Sequence, residues 1–430
     1  MKQKFKQNDE KTINAWAMYD WANSAYALVI TSAIFPIYYN DITKNDNGDM
    51  VSFFDYEIVN SALFSYAISI GFLIVAFISP LLSSIADYTG NKKLFMRLFC
   101  YLGSFACMSM YFFDSAATVE VGIIALILAS VGYSGSIVFY NAYLPIIATK
   151  DRHDKISAKG FSLGYIGSVL LLLLCLAMVL KPSMFGIANG GMAARISFVI
   201  VGLWWFFFSH ISFFFLPRNI FNKKPTGNYL FEGYRELAKV WQEVKYLPTL
   251  KSFLRGFFFY MMGLQTIMFL ATLFGTKELE LADDFLIIVM IVIQLIAIGG
   301  AYGFAYSSKR IGNLPTLLYA LLVWMGVCIF GYFVQGKWDF LALASIVGIV
   351  MGGTQALSRS TYAKMLPKTE DHASYFSFYD VCEKLAIVIG TFVFGLLETM
   401  TGSMRLSILP LMIFFILAFV FFWPIRKEQF

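Results

Sequence analysis

The sequence predicts an all-α integral membrane protein with twelve transmembrane helices in two pseudo-symmetric six-helix bundles. Three observations support this prediction. Hydrophobic residues make up 59% of the 430 residues and charged residues only 14%, against roughly 25% charged residues in soluble domains. The mean hydropathy of +0.68 suits a surface in contact with lipid tails. The apolar residues form long runs, and a polar segment divides these runs into two sets of six.

Each of the twelve runs approaches or exceeds the roughly 20 residues that a helix needs to cross a bilayer. The first run follows a polar, basic segment and is longer than the roughly 7–15 apolar residues of a signal peptide, so we expect it to be retained as helix one. The predicted spans are 14–39, 58–84, 94–113, 119–148, 158–180, 193–216, 252–274, 283–306, 314–334, 339–363, 373–397 and 404–424.

The distribution of basic residues predicts the orientation. Of the 33 Lys and Arg residues, 26 lie on the predicted side of the N-terminus, six lie on the opposite side and Lys384 lies inside a span. Positive residues concentrate on the cytoplasmic side of membrane proteins. We therefore expect a multi-pass protein of the cytoplasmic (inner) membrane with both termini cytoplasmic. The net charge of +6 is explained by these loops, so no nucleic-acid partner is expected.

The polar segment defines the expected domains: an N-terminal bundle (1–216), a cytoplasmic connector (217–251) and a C-terminal bundle (252–430). Within the connector, residues 229–246 carry apolar side chains at helical spacing, with basic residues between them. Such a helix either lies on the cytoplasmic leaflet or packs beneath the bundle, and the sequence favours neither.

The loop after helix two is a tight basic turn that contains one acid. Residues 83–93 read SSIADYTGNKK and resemble the major facilitator signature Gly-x-Leu-Ala-Asp-Arg-x-Gly-Arg-Lys, with Ser83 and Tyr88 as departures. The corresponding loop of the second half, 307–313, has Lys309 where the acid would be. We expect the first loop to help close the cytoplasmic side. The candidate residues for this gate are Asp87, Gly90, Lys92, Arg152, Arg310 and Arg359.

Ionisable residues inside spans are costly and usually face a cavity or a partner. Asp20 lies in helix one, about two turns from the cytoplasmic edge, where it is a proton or substrate site, half of a gate, or an interfacial acid reaching water. Arg359 in helix ten either faces such a partner or extends to the interface. Asp380, Glu383 and Lys384 form the densest charge cluster of the predicted spans. A coupling or gating role is favoured over a structural ion pair.

Uncharged polar residues complete the candidates. They could contact a substrate or hydrogen-bond between helices, and they are Asn23, Tyr26, Asn141, Gln265 and Gln355. Small residues at four-residue spacing permit close contact between helices. Three such pairs are expected to let the two halves touch and rock: Gly160 with Gly164, Gly299 with Gly303, and Gly348 with Gly352.

The sequence has no phosphate-binding loop, no metal-ligand spacing and no arrangement of nucleophile and base. We therefore expect no cofactor, no metal and no enzymatic activity. The expected partners are a small-molecule substrate, the lipid bilayer and protons.

Four segments together resemble a known family. They are 16–26 (WAMYDWANSAY), 83–93, 139–145 (FYNAYLP) and 353–360 (GTQALSRS). They resemble the bacterial relatives of the autophagy-related vacuolar amino-acid effluxers, a branch of the major facilitator superfamily, over nearly the whole chain. Many members carry an acid before the Gly of helix seven, whereas this chain has Met262 before Gly263. A role for an acid at that position is therefore not expected here.

The resemblance implies the major facilitator fold and alternating access to a central cavity lined by helices one, four, seven and ten. In the fungal members it implies efflux of neutral amino acids. The expected function is secondary active transport of a small organic solute such as a neutral amino acid, coupled to protons. The alternatives are export of a drug, nucleoside or lipid-like molecule, and, less favoured, a membrane-embedded enzyme, a channel or a sensor.

Overall fold

The computed structural model describes residues 6–45, 49–219, 221, 223 and 229–428. Twelve long helical elements, α1 to α12, follow one another along this part of the chain. The first six are α1 (Glu10–Ala25, continued by Tyr26–Ile34 and Phe35–Thr43), α2 (Asn60–Thr89), α3 (Lys92–Ser109), α4 (Val119–Asn141), α5 (His153–Leu180) and α6 (Gly190–Phe215). The second six are α7 (Pro248–Lys277), α8 (Asp283–Ile311), α9 (Asn313–Phe333), α10 (Lys337–Met365), α11 (His372–Thr401) and α12 (Met404–Ile408, continued by Leu411–Phe422).

Ten of these elements are long and apolar enough to cross a membrane, judged by the described residues alone. The other two are α1 and α11. The first is interrupted in its middle, and the second carries Asp380, Glu383 and Lys384 within a few residues of one another. Both departures from an ordinary apolar helix lie in segments that the sequence analysis predicts to be functional. The ten apolar helices together with α1 and α11 agree with a total of twelve crossings.

The interruption of α1 is a π-helical segment, Tyr26–Ile34. Its cause is local. Pro36 has no N–H to donate to the preceding turn, and the Ser32 hydroxyl donates to the carbonyl of Ala27, five residues earlier, at 2.9 Å. Wide turns of this kind are often found at functional sites. Tyr26, a predicted candidate, lies at the first position of this segment.

A short β-hairpin precedes α2, which the sequence analysis did not predict. Strand β1 (Met50–Phe53) pairs antiparallel with β2 (Tyr56–Val59), with Phe53 opposite Tyr56. The two loop residues, Phe54 and Asp55, both have positive φ (50° and 67°), as expected for a two-residue hairpin turn that follows the twist of the strands.

Both ends of the described chain lie at one face of the bundle, here called the terminal face. The Gln7 side chain donates to the carbonyl of Ile146, just before α5, and the Ser252 hydroxyl donates to the carbonyl of Phe421, near the end of α12. The even number of helices between these points agrees with this placement. The face at the other end is called the opposite face.

The two sets of six helices meet through a small number of elements. Helix α2 packs against α11, and α5 packs against α8 and α10. Between the sets lies a connector helix, Tyr229–Tyr246, with the bounds that the sequence predicted. Helix α7 then begins at Pro248, a residue well suited to the first turn because its missing N–H would have no partner there.

The connector helix packs beneath the bundle with one side. Val240 and Val244 are buried, and Gly233 lies so close to Ile85 of α2 that a Cβ there would be 2.5 Å from its side chain. The other side is exposed and carries aromatic and basic residues, namely Phe231, Tyr234, Arg235, Trp241, Lys245 and Tyr246. Packing beneath the bundle is thus observed for one side, and contact of the other side with the leaflet stays a prediction.

Two of the three glycine pairs lie in close contact with a neighbouring helix of the same half. An added Cβ would lie 2.2 Å from the Ala297 carbonyl oxygen at Gly352 and 2.8 Å from the Ile293 carbonyl oxygen at Gly348, both on α8 of the same half. At Gly164 it would lie 2.4 Å from Ser24 on α1. The prediction for Gly299 with Gly303 is wrong. No atom lies within 4 Å of an added Cβ at either position, because both face away from the neighbouring helices.

Gly352→Ala is therefore expected to destabilise the protein by about 1–3 kcal/mol, because the backbone of α8 must move away to accept the methyl group. The measurement is the melting temperature of the detergent-purified protein. Gly299→Ala is the matched control, and it should leave the melting temperature unchanged or slightly raised, since Ala favours a helix more than Gly does. Equal melting temperatures for the two variants would contradict the close contact between α8 and α10.

Candidate functional site

An ion pair joins the two halves near the terminal face. The Arg359 guanidinium on α10 donates through Nη1 to Oδ2 of Asp20 on α1, at 3.0 Å. The Tyr140 hydroxyl, on α4, donates to the same oxygen at 2.7 Å. Both charged side chains are buried. Arg359 therefore does not extend to the interface, and Asp20 is not an interfacial acid reaching water.

The remaining donors of Arg359 are satisfied by α5. Its Nε donates to the Ser157 hydroxyl and its Nη2 to the Ser157 carbonyl oxygen, both at 2.9 Å. The guanidinium lies 4.1 Å from the ring centre of Phe161 and 4.8 Å from that of Trp16, distances at which a cation is attracted to an aromatic face. Gly160 makes room for the pair, because a Cβ there would lie 2.4 Å from the Asp20 carboxylate.

A second contact between the halves involves Asp87 at the end of α2. Its carboxylate accepts hydrogen bonds from the backbone N–H groups of Ala373 and Ser374, at 3.3 and 2.7 Å, and from the Ser374 hydroxyl. These N–H groups lie in the first turn of α11, where the helix dipole favours a negative charge. Lys92 pairs with Asp87 at 2.5 Å and also donates to the Glu370 carbonyl.

A third contact is the pseudo-symmetric counterpart of the second. Its acid lies in the first turn of a helix, whereas Asp87 lies at the end of one. Asp154, in the first turn of α5, pairs with Lys364 at 2.6 Å. It also accepts hydrogen bonds from Ser308 at the end of α8 and from Asn313 at the start of α9. Sequence analysis missed Asp154 and Lys364. The available signal was that the loop of the second half has Lys309 where the first half has its acid.

Two predicted gate residues lie away from these contacts. Arg152 pairs with Glu10 at 2.5 Å, within the same half, and Arg310 bonds to Tyr306, one turn earlier on its own helix. Gly90 ends α2 with φ of 69°, the left-handed conformation in which glycine commonly ends a helix. Its role is to turn the chain between Asp87 and Lys92.

The connector helix reinforces the terminal face. Glu243 accepts a hydrogen bond from the Tyr375 hydroxyl of α11 at 2.7 Å, and Lys239 pairs with Asp371 at 3.1 Å and with Glu236 at 2.7 Å. Partial burial alone would lower the pKa of Lys239, but its hydrogen bonds to the Glu236 and Asp371 carboxylates outweigh this effect, and the pKa is raised above its ordinary value.

The charge cluster of α11 lies deeper in the membrane. Asp380 and Lys384 are eight and twelve residues from the start of the helix, or about 12 and 18 Å at 1.5 Å per residue. The Lys384 ammonium lies 3.4 Å from Asp380 and 3.8 Å from Glu383. It also lies 5.5 Å from the ring centre of Phe72 on α2, so the cluster faces the first half.

This cluster is not fully compensated. Two carboxylates face one ammonium, and within the described part of the chain neither oxygen of Asp380 accepts a hydrogen bond, although the residue is buried. Glu383 receives one long hydrogen bond, 3.4 Å, from the predicted candidate Gln265 on α7. The arrangement can accept a proton or a cationic group, and Lys384 can contact an anionic one.

The other candidates are the buried residues Asn23, Tyr26 and Asn141 and the half-buried Gln355. Gln355 on α10 accepts a hydrogen bond from the Tyr165 hydroxyl of α5 at 2.9 Å, across the two halves. Tyr26 bonds to Ser130 inside the first half, and the Asn23 amide nitrogen has no hydrogen-bond partner among the described residues. Asn141 accepts one long hydrogen bond, 3.5 Å, from Arg359.

All side-chain hydrogen bonds and ion pairs between the halves, counted over the described ranges, lie on one side of the molecule. They extend from the terminal face to the level of Tyr165 and Gln355, about 18 Å into the bundle at 1.5 Å per residue of α5. The protein is thus closed at the terminal face by three groups of buried charges.

Solved structures with the same fold define the class of protein. The human organic anion transporter MFSD10 superposes with a TM-score of 0.73 over 97% of this chain and all of its own, at 11% identity. FucP in its outward conformation superposes with a TM-score of 0.70, over 97% of this chain and 99% of its own, also at 11% identity. The chain therefore has the major facilitator fold.

The family follows from sequence. The model described as "Vacuole effluxer Atg22 like" matches residues 8–429, and the chain belongs to this family. The MFS-type transporter YxiO of Bacillus subtilis is 30% identical over 97% of this chain and 95% of its own length. Autophagy-related protein 22 of Kluyveromyces lactis is 24% identical over 86% of this chain and 80% of its own. The resemblance noted from the sequence is confirmed, as is transport across a membrane by a multi-pass protein.

Asp20→Asn is expected to destabilise the closed protein by about 3–5 kcal/mol, because it leaves a buried guanidinium without its carboxylate. Asp20→Asn with Arg359→Gln should recover part of that loss, and a double-mutant cycle of melting temperatures measures the coupling. Arg152→Gln breaks the exposed pair with Glu10 and should change nothing measurable. If Asp20→Asn behaved like Arg152→Gln, the Asp20–Arg359 pair would not hold the halves together.

A disulfide between Ser84→Cys and Ser374→Cys should form readily, because the two hydroxyl oxygens lie 3.2 Å apart across the halves. Mild oxidation of the double variant should give an intramolecular crosslink, detected by mass spectrometry. Transport in proteoliposomes should stop and return after reduction. The two single-cysteine variants are the controls. Full transport by the crosslinked protein would show that this face need not open.

Proposed function

We propose that this chain is a secondary active transporter of small organic solutes, with neutral amino acids as substrates, that works by alternating access coupled to protons. The observation that carries the proposal is the charge cluster of α11, which faces the first half. Asp380 and Lys384 are buried, Glu383 is half-buried, and two carboxyl groups face one ammonium. Ionisable groups inside a membrane protein commonly mark the path of a substrate or a proton, and the substrates of such transporters bind near the middle of the bilayer.

An amino acid matches the chemistry of this cluster. Its ammonium group would pair with Glu383 or Asp380, and its carboxylate would contact Lys384. The family name refers to vacuole effluxers, which supports transport but names no solute. Gln265 and Gln355 supply further hydrogen-bonding groups on α7 and α10, two of the helices expected to line the cavity.

Asp380 is the proposed proton site. A buried carboxylate without hydrogen-bond donors is costly in its charged form. Either a proton or the substrate's ammonium group would lower that free-energy cost. Competition between the two provides coupling: the substrate displaces the proton or the proton displaces the substrate. Asp20 is assigned to the gate instead, because Arg359 and Tyr140 already satisfy its carboxylate.

We further propose that the terminal face is cytoplasmic, since 26 of the 33 Lys and Arg residues lie on that side. The conformation described above would then be closed to the cytoplasm. The domain limits 1–216, 217–251 and 252–430 remain the proposed rigid units, with the connector helix attached to both across the closed face. Rocking of the two bundles would separate the three groups of charges and expose the cluster to the cytoplasm.

The first experiment is a thermal-shift screen of the purified protein against amino acids, dipeptides, nucleosides and small carboxylates. A ligand that binds the folded state raises its apparent stability with the logarithm of the ligand concentration, once that concentration exceeds Kd. A shift with neutral amino acids supports the proposed substrate. A shift with another class alone would leave a transporter whose substrate is a different small molecule.

Asp380→Asn is expected to abolish the response of solute uptake to a pH gradient while leaving counterflow exchange within about threefold of the wild type, because the exchange of bound substrate needs no net proton movement. Uptake and counterflow would be measured in proteoliposomes with the solute identified above. Glu383→Gln should weaken binding of that solute, because the ammonium group loses its partner.

Asp339→Asn serves as the matched control, since Asp339 is an exposed acid at the start of α10, and it should behave like the wild type. A normal pH response in Asp380→Asn would exclude Asp380 as the coupling residue. Loss of both uptake and counterflow with normal melting temperature would assign Asp380 to substrate binding instead of coupling.

A further inference from the structure

A cationic cavity of about 200 Å³ opens near the terminal face, outside the site described above. It lies between the start of α3 and the end of α6. Its lining residues are Gly90, Asn91, Lys93, Leu94, Arg97 and Arg218. Three of the six are positively charged and none is acidic, so the cavity would attract an anion.

The charges in this cavity lack the partners that other buried cations have. The structure describes five buried Lys and Arg side chains, and four of them pair with a carboxylate, as Lys92, Lys364, Lys384 and Arg359 do. Lys93, only 7% exposed, instead donates to the carbonyl of Leu216 at 2.5 Å. Its positive charge is therefore not neutralised by any described side chain.

Arg97 shows the same deficit. Its Nε is buried and has no hydrogen-bond partner in the described ranges, while its guanidinium lies 5.3 Å from the ring centre of Phe213. A guanidinium with free donors can form paired hydrogen bonds with a phosphate. Arg218, which is exposed just beyond α6, completes a set of three cations without an acid.

The surface beside the cavity is apolar and faces outward from the bundle. Leu94, Leu98, Leu102 and Phe105 are exposed on α3 at helical spacing, and they form a continuous ridge that runs from the cavity into the membrane region. Positions four residues apart share one side of a helix. An amphipathic ligand would thus find charge at the cavity and hydrocarbon contact along the ridge.

We propose that this cavity binds the phosphate group of an anionic phospholipid, with an acyl chain along the ridge of Leu94, Leu98, Leu102 and Phe105. Basic pockets between transmembrane helices at the cytoplasmic side are a known type of site for such headgroups. A free phosphate ion shares the headgroup's chemistry but gains nothing from the ridge. The combination of three cations without an acidic partner, one buried, one half-buried and one exposed, with an exposed apolar ridge favours the lipid.

The location connects this site to the gate. Gly90 and Asn91 line the cavity and also form the turn between Asp87 and Lys92. A lipid bound there would restrict that turn in the conformation in which Asp87 contacts the first turn of α11. Binding of the lipid is therefore expected to stabilise the folded, closed protein.

The test uses the detergent-purified full chain and added phosphatidylglycerol, with phosphatidylcholine and inorganic phosphate as comparison ligands. Phosphatidylglycerol should raise the melting temperature in a saturable manner, and the other two should not. The double variant Arg97→Gln with Arg218→Gln should weaken the apparent affinity for phosphatidylglycerol at least tenfold.

The matched control is Lys155→Gln with Lys427→Gln, which removes two exposed positive charges from the terminal face and should leave the affinity unchanged. If the double variant does not fold, Arg218→Gln alone repeats the test at an exposed position. An unchanged phosphatidylglycerol response in the folded variant would overturn the proposal. A response to inorganic phosphate as strong as that to the lipid would also overturn it, since the ligand would then be a free anion.

Discussion

The buried ion pair between Asp20 and Arg359 is the interaction on which the closed arrangement of the halves depends. Removing two charges from water is costly, and their attraction offsets that cost only where the remaining donors and acceptors are also satisfied. Here Tyr140 and Ser157 provide those bonds, and Gly160 provides the space. The pair therefore requires α1, α4, α5 and α10 to meet at one point, which excludes an arrangement with the halves separated at this face.

The chain contains buried charges of two kinds. At the terminal face the acids Asp20, Asp87 and Asp154 are each matched by a cation and by hydrogen-bond donors. Along α11, Asp380 lacks such donors. A fully satisfied network holds one geometry, whereas an incompletely satisfied one can change its partners. The first kind suits a gate that closes, and the second suits a site that exchanges protons or ligands during transport.

The helices were largely predictable because transmembrane segments must be long and apolar. The connector helix was predicted with its observed bounds, since its apolar residues recur at helical spacing and polar segments flank it. The start of α5 was less predictable. The sequence predicted a span from residue 158, but the helix begins at His153. Its first turn is polar and includes Asp154, which pairs with Lys364 of the other half, so this turn lies outside the apolar run.

The sequence alone determined the membrane location, the number of helices, the family and which charged residues lie within spans, because each follows from composition, run length or a local motif. Only the tertiary structure decided how those charges are paired. It joined Arg359 to Asp20 across 339 positions of sequence, and it left Arg152 and Arg310 outside the contacts between the halves. The physical reason is that an ion pair depends on the distance between two side chains, and for residues on different helices that distance is set by packing.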